Sequence, residues 1–269
     1  MSASDKRLNS RRAARADAAL ALAVVLALPA PAAAQQQLFS PFQSDARRYT
    51  DCMALVRRDP KKAHEEAVGW RMAGGGDGAL HCIAVALLGM GDYVQAAQNL
   101  EALARSTPGA TPENRADLLG QAGSAWTIAG KPDLAFKAQS AALALKPDDI
   151  DLLIDRGITL AGTGNYWEAL DDLNRVLSLD PERVDALVFR ASAWRALKSL
   201  DLAEDDAARA LALDPGRPDA LLERGLIRHA RGNVPGARTD WMQVLELSRD
   251  GPYREAARRE LEKLDIGKR

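Results

Sequence analysis

The sequence predicts an all-α protein built from repeated helix-turn-helix hairpins. Alanine makes up roughly a fifth of the residues and aromatic residues only 5%, and alanine favours helices whereas strands favour aromatic and β-branched residues. Small residues recur every 34 positions. Within each period the apolar residues follow helical spacing rather than strict alternation. With 269 residues, 47% of them hydrophobic, the chain is apolar enough to fold, which excludes a disordered polymer.

The first element along the chain is a predicted signal peptide over residues 1–34. A basic stretch precedes an uncharged run from Ala18 to Ala34, which contains Pro29 and Pro31 and ends in small residues. A membrane anchor is the alternative, but the run is shorter than the roughly 18 apolar residues that a span needs. We therefore expect cleavage after Ala34 and a periplasmic or secreted protein without a membrane segment. Residues 35–43 are expected to form a disordered leader.

The net charge of −1 combines two regions of opposite sign. Residues 1–34 hold five basic and two acidic residues, a net of +3, so the remaining chain carries −4. A mildly acidic protein lacks the basic surface that nucleic acid or an anionic membrane requires. The charge instead slightly favours basic partners.

The repeats are visible as three columns of residues spaced 34 apart. Agreement between independent columns excludes coincidence and indicates a repeat architecture. The columns are Pro147, Pro181 and Pro215; Ala135, Ala169, Ala203 and Ala237; and Gly123, Gly157, Ala191 and Gly225.

One period, residues 150–181, shows the predicted hairpin. Leu153, Gly157 and Leu160 fall at helical spacing in a first helix, and residues 162–165 make a turn. A second helix follows and ends before Pro181. The small residues in the two helices lie where the helices must approach closely, so a bulky side chain there would force them apart.

These residues resemble the tetratricopeptide repeat, a 34-residue helix-turn-helix module. The match is partial: Arg156-Gly157 replaces the usual Leu-Gly, Trp126 and Trp194 stand where Tyr is usual, and Trp241 stands where Phe is usual. The resemblance implies a right-handed α-solenoid in which each hairpin packs only on its neighbours and the ends are capped.

The resemblance extends over residues 44–265. It predicts a degenerate hairpin at 44–74 and a charged capping helix at 252–265. Between them lie repeats at 77–105, 116–146, 150–180, 184–214 and 218–248, with about five extra residues in the loop from Ser106 to Glu113.

The two cysteines, Cys52 and Cys82, lie in the first helices of the first two hairpins. The resemblance makes these helices neighbours, and an exported protein meets an oxidising compartment. We therefore predict a disulfide that joins the weakest hairpin to the next. The alternative is a pair of small buried hydrophobic residues.

Catalytic patterns are absent from the sequence. The three histidines are scattered, and His64-Glu65-Glu66 lacks the second histidine of a zinc-protease helix. The segment from Gly74 to Gly78 follows no strand, so it indicates a connection rather than a phosphate loop. We expect a protein that is not an enzyme and holds no cofactor or metal.

The resemblance implies that a peptide ligand lies on the concave face of the first helices. Apolar columns there would form a trough, and an acidic column would flank it, which suits a peptide with apolar anchors and Lys or Arg. The apolar residues are Ile154, Val188 and Leu222, followed by Ile158 and Leu226 in a column that includes Ser124 and Ser192, with Phe189 and Arg195 beside them. The acidic residues are Asp117, Asp151, Asp185 and Asp219.

Both columns have a structural alternative. Each Asp is expected in the first turn of its helix, where a carboxylate stabilises unpaired N–H groups, and the apolar column is also suited to packing between repeats. Family members that grip a C-terminal carboxylate use Lys, Arg and Asn on this face. The aligned places here hold Gly120, Ser124, Asp155, Asp185 and Phe189, so no such clamp is predicted.

Two functions remain open from the sequence. One is a non-catalytic adaptor of the bacterial cell envelope that binds a protein segment on the first helices. The other is a structural subunit that self-associates, or docks into a larger envelope complex, through its first hairpin or its cap. Solenoid folds host many functions, so the partner is not identified by the fold.

Overall fold

The computed structural model describes residues 46–266, which form thirteen α-helices and no strand within that range. The predicted signal peptide and leader lie outside the described residues. The helices belong to two compact units, which meet in sequence at Thr159 and Leu160. We call residues 46–159 the N-terminal unit and residues 160–266 the C-terminal unit.

The N-terminal unit consists of three hairpins and most of a seventh helix. In every hairpin the two helices pack against each other, and each hairpin packs on the next. The helices are α1 (Ala46–Val56), α2 (Pro60–Met72), α3 (Gly76–Met90), α4 (Tyr93–Ser106), α5 (Pro112–Ile128), α6 (Pro132–Leu145) and α7 (Ile150–Gly162).

The C-terminal unit contains the end of α7 and six further helices. Its helices are α8 (Tyr166–Leu179), α9 (Val184–Ala196), α10 (Leu200–Leu213), α11 (Pro218–Ala230), α12 (Val234–Leu247) and α13 (Pro252–Ile266). The predicted all-α fold of repeated helical hairpins is therefore confirmed. Helices α1, α3, α5, α9 and α11 are the first helices of their hairpins, and α13 packs on α11 as a further first helix would.

Helix starts and turns follow from local residues. Asp59 begins α2 by accepting a hydrogen bond from the N–H of Lys62 at 3.0 Å. Several turns between consecutive helices contain a residue with positive φ: Gly164 and Gly232 have φ of 82° and 80°. Lys198 occupies the same place between α9 and α10 with φ of 63°, a conformation that glycine adopts more readily.

The small-residue columns lie where two helices of a hairpin touch. The side chain that faces the small residue differs in size from one hairpin to the next. A Cβ atom on Gly123 would lie 2.5 Å from Cγ of Gln139, and a Cβ atom on Gly225 would lie 2.3 Å from Nε1 of Trp241. Ala191 instead packs in a cluster with Ala207. These contacts set how closely the helices approach.

Candidate functional site

The first-helix face of the C-terminal unit is formed by α9, α11 and α13, which pack side by side. Val188 and Leu222 are only 6% and 5% exposed, so they pack inside the unit. Phe189 and Leu226 are half-buried and keep part of their surface accessible. Of the predicted apolar residues in this unit, Phe189 and Leu226 are therefore the ones that a ligand can touch.

Arg195 lies on the same face and is held by a carboxylate. Its Nε donates to Oε1 of Glu223 at 2.5 Å, and its Nη2 donates to Oε2 at 3.3 Å. Nη2 also lies 3.4 Å from the hydroxyl of Ser192. The two charged side chains are 18% and 9% exposed. Arg195 thus stabilises the contact between two first helices, and its partner Glu223 was not predicted from the sequence.

The acidic column of this unit is also neutralised. Arg217 donates from Nε to Oδ1 of Asp219 at 2.8 Å and from Nη2 to Asp185. Arg183 places its Nε 3.4 Å from Oδ2 of Asp185. Burial alone would lower the pKa of Arg217, but the bonds to Asp219 and Asp185 raise it above its usual range. These carboxylates form a cluster of ion pairs along the ends of the first helices.

In the N-terminal unit the acidic column has the same kind of contact. Asp117, with a side chain 11% exposed, is paired with the Nζ atom of Lys146. Because α5 begins at Pro112, Asp117 lies in the second turn, so its expected place in a first turn is wrong. Asp149 begins α7 by accepting from the N–H of Leu152 at 3.1 Å, and Asp151, which follows it, is exposed.

The remaining predicted residues of the N-terminal unit lie next to Asp155 along α7 or contact its partly buried carboxyl group. Ile154 is 6% exposed and Ile158 is half-buried. Near them, the hydroxyl of Ser124 donates to Oδ2 of Asp155 at 2.6 Å. Burial raises the pKa of Asp155 to about 6; the bond from Ser124 opposes this change, whereas the nearby charges of Asp151 and Asp149 add to it.

A buried histidine connects three first helices of this unit. The hydroxyl of Tyr49 on α1 lies 2.8 Å from Nδ1 of His81 on α3, and Nε2 of His81 lies 3.2 Å from Oε1 of Gln121 on α5. Burial lowers the pKa of His81 to about 4 and raises that of Tyr49 above its usual range. A neutral His81 that donates from Nε2 and accepts at Nδ1 satisfies both bonds. Since His81 is 0% exposed, no substrate can reach it.

A set of buried ion pairs between the two helices of a hairpin was not predicted from the sequence. Arg190 on α9 contacts Asp206 on α10 through two hydrogen bonds of 2.7 Å. Arg224 on α11 contacts Asp240 on α12 through bonds of 3.1 and 2.7 Å. The signal was present, because both pairs are separated by 16 residues and repeat 34 residues apart. Asp206 and Asp240 are 3% and 1% exposed.

Cys52 on α1 and Cys82 on α3 lie close together. Their Cα atoms are 6.4 Å apart, within the range that a disulfide spans, and the residues are 7% and 0% exposed. The disulfide itself stays a prediction.

Within residues 46–266, no group of three or more His, Cys, Asp or Glu side chains is arranged to hold a metal ion. In the same range, no helix is long and apolar enough to cross a membrane. Of the glycine segment from Gly74 to Gly78, only the first two residues connect α2 to α3, since α3 begins at Gly76; Gly74 and Gly76 have φ of 89° and 54°.

Models of the tetratricopeptide repeat match much of the chain. One matches residues 129–193, and a second matches residues 83–150 and 203–255. No curated protein sequence matches the chain at a significant level.

Solved structures of tetratricopeptide proteins share the fold. A tetratricopeptide repeat protein from Parabacteroides merdae is 26% identical, with a TM-score of 0.57 over 66% of this chain and 69% of that one. MamA from Desulfovibrio magneticus RS-1 is 21% identical, with a TM-score of 0.56 over 64% and 95%. YrrB, a tetratricopeptide repeat protein with an unusual peptide-binding site, is 18% identical, with a TM-score of 0.51 over 68% and 91%.

Proposed function

Since this chain is a tetratricopeptide repeat protein, we propose that it is a non-catalytic scaffold of the bacterial cell envelope whose first helices bind a peptide segment of a partner protein. The fold is generally an interaction module rather than a catalytic one. YrrB, which has a similar fold, is described as having a peptide-binding site, and this supports a peptide as the ligand.

The observation that carries the proposal is the partial exposure of Phe189 and Leu226 on adjacent first helices. An accessible aromatic ring and an accessible leucine on one helical face offer apolar anchor sites to an extended or helical peptide. The hydroxyl of Ser192, one turn from Phe189, adds a hydrogen-bonding group. Because Asp185 and Asp219 are already paired with Arg217, apolar anchors contribute more to this recognition than the acidic column does.

A selection of short peptides from a displayed library against residues 35–269 supplies the probe. We expect the selected peptides to contain apolar anchors and to bind Phe189→Ala or Leu226→Ala about tenfold more weakly, as measured by fluorescence anisotropy. Leu213→Ala is the matched control, because Leu213 is an exposed leucine on a second helix. Unchanged affinity in Phe189→Ala and Leu226→Ala would remove the first-helix face from the proposal.

The envelope location is supported by the signal peptide predicted over residues 1–34 and by the proximity of Cys52 and Cys82. We expect a fusion of residues 1–34 to a reporter enzyme that is active only outside the cytoplasm to give activity. The exported protein should begin at Gln35, and its mass under non-reducing conditions should show no free thiol. Two free thiols in the exported protein would contradict the disulfide, and an inactive fusion would contradict the location.

A further inference from the structure

An exposed tryptophan lies on the C-terminal unit away from the residues discussed so far. Trp167, the second residue of α8, is 62% exposed. Its ring meets that of Trp194 edge to face, with centroids 5.9 Å apart and an interplanar angle of 84°. Trp194 is partly buried against the cluster that includes Ala203 and Ala207 of α10. The core therefore holds Trp194 in place, and Trp194 holds one side of Trp167 while the remainder faces outward.

Exposed acidic residues follow Trp167 along α8 and recur at the equivalent stretch of α10. Asp171 lies one turn after Trp167 on the same face of α8, and Glu168 follows Trp167 directly. The places 34 residues later hold Leu202, which is 48% exposed, and Asp205. We call Trp167, Glu168, Asp171, Leu202 and Asp205 the Trp167 surface.

The carboxylates of this surface differ from the paired carboxylates described above. Asp185, Asp206, Asp219, Glu223 and Asp240 each contact an arginine. Glu168, Asp171 and Asp205, all exposed, form no ion pair with any residue between 46 and 266. Since α8 and α10 both pack on α9, these three unpaired negative charges lie on neighbouring second helices together with an exposed tryptophan and an exposed leucine.

We propose that the Trp167 surface docks a segment of a partner protein in which Arg or Lys lies next to an aliphatic residue. A guanidinium or ammonium group over the Trp167 ring is attracted by the negative face of the ring. The carboxylates of Asp171 and Asp205 pair with further cations, and Leu202 contacts the aliphatic residue. Tryptophan is frequent among the residues that dominate binding energy at interfaces. Negative charge here disfavours nucleic acid and anionic lipid.

This surface lies on second helices, whereas the peptide site proposed above lies on first helices. The two sites therefore respond to different substitutions, and the protein has places for two partner segments. The inference does not depend on the first-helix site.

The probe is a short fluorescein-labelled peptide of alternating Arg and Leu, with a matched peptide of alternating Glu and Leu. We expect the Arg peptide to bind residues 35–269 with a salt-sensitive affinity and the Glu peptide not to bind. Trp167→Ala should weaken binding about tenfold. The double variant Asp171→Asn, Asp205→Asn should weaken it several-fold and reduce its dependence on salt. Circular dichroism checks that each variant is folded.

Two control variants test whether binding is specific to the Trp167 surface. Leu213→Ala changes an exposed leucine at the other end of α10, and Phe189→Ala changes the first-helix face. Both should leave the affinity for the Arg peptide unchanged. The proposal is overturned if Trp167→Ala binds the peptide as tightly as the parent chain, or if the controls weaken binding equally. It is also overturned, in favour of a second copy as the occupant, if Trp167→Ala abolishes a concentration-dependent dimer in sedimentation.

Discussion

The two units place different chemistry at equivalent positions of the same 34-residue repeat. In the C-terminal unit, Arg190 and Asp206 form a buried ion pair between the helices of a hairpin. The equivalent positions in the hairpin of α5 and α6, in the N-terminal unit, hold Ala122 and Ala138, which are 0% and 4% exposed. Both arrangements allow the same pair of helices to pack. The packing of the two helices therefore requires side chains that fit between them. Either an ion pair or a pair of alanines meets that requirement.

Contacts between neighbouring first helices differ in the same way. The N-terminal unit joins them through neutral groups, such as the hydrogen bonds of His81 to Tyr49 and Gln121. The C-terminal unit joins them through Arg195 and Glu223. Neutral contacts fail when a buried group must take up or lose a proton, whereas buried ion pairs fail when one partner is removed. The two units should thus respond to different changes.

The largest effect should come from breaking one ion pair. Arg190→Ala leaves Asp206, which is 3% exposed, with only Arg209 at 3.8 Å. We expect a loss of about 3–5 kcal/mol in the free energy of unfolding. The double variant Arg190→Ala, Asp206→Ala reproduces the alanine pair of the N-terminal unit and should lose much less. Urea unfolding followed by circular dichroism measures both, and a double variant that loses the sum of the single losses would contradict the comparison.

The next effect concerns pH in the N-terminal unit, where the pKa changes of two groups affect the free energy of unfolding in opposite directions. The pKa of His81 falls from 6.5 to about 4 on folding. The unfolded chain therefore binds the proton first, and stability falls as pH decreases from 6.5 to 4. The pKa of Asp155 rises from 3.8 to about 6. For Asp155 the folded chain keeps its proton longer, and stability falls as pH increases from 3.8 to 6. Each slope is about 1.4 kcal/mol per pH unit, so the two contributions nearly cancel between pH 4 and 6.

Single substitutions should reveal each slope. Relative to the parent chain, Asp155→Asn should make the free energy of unfolding rise with pH between 4 and 6, by about 3 kcal/mol in total. His81→Gln should make it fall over the same range. Urea unfolding at several pH values measures the difference. Parallel curves for the parent chain and both variants would show that neither group titrates differently in the folded state.

A smaller effect should come from the column of small residues. In Gly225→Ala the new Cβ would lie 2.3 Å from Nε1 of Trp241, which is fully buried. We expect a loss of about 1–3 kcal/mol, because the ring cannot move without displacing its neighbours. Gly69→Ala on α2 is the control, since no atom lies within 4 Å of the added Cβ. That variant should gain up to about 1 kcal/mol from helix propensity. Equal effects in the two variants would refute a packing cause.

The hairpin repeat could be predicted because close packing leaves a periodic trace in the sequence. Gly225 and Ala237 recur in their columns wherever two helices touch, and the helix bounds follow from turn residues such as Gly232. The family resemblance followed from the same columns. The buried pair of Arg224 and Asp240 also recurs with the repeat period. It was not predicted, because charged residues on helices usually face solvent.

The candidate site was harder to predict, because exposure depends on neighbours that no single repeat contains. Asp219 and Leu222 occupy regular columns, yet one is neutralised by Arg217 and the other is buried. Trp167 belongs to no apolar column, since the equivalent place in the next repeat holds Asp201. The contact that leaves most of its ring exposed is with Trp194, which lies in the next repeat.

The smallest effect should be a gain of stability in the N-terminal unit. Gln139 on α6 is 1% exposed, and neither Oε1 nor Nε2 has a hydrogen-bond partner among residues 46–266. The equivalent residue in the next repeat is Leu173, and both positions share a glycine in the small-residue column, Gly123 and Gly157. Gln139→Leu removes two unsatisfied polar atoms and keeps a side chain of similar size. We expect a gain of about 1–2 kcal/mol in the free energy of unfolding.

The control for this change is Gln98→Leu, because Gln98 is exposed on α4. A surface substitution of this kind should change stability by less than about 0.5 kcal/mol. Urea unfolding of both variants separates the removal of buried polar atoms from a general effect of adding a leucine. A loss of stability in Gln139→Leu would mean that the amide contributes more to the fold than its surroundings account for. The columns of small residues would then not be enough to specify this hairpin. The polar side chain of Gln139, between α5 and α6, would also be needed.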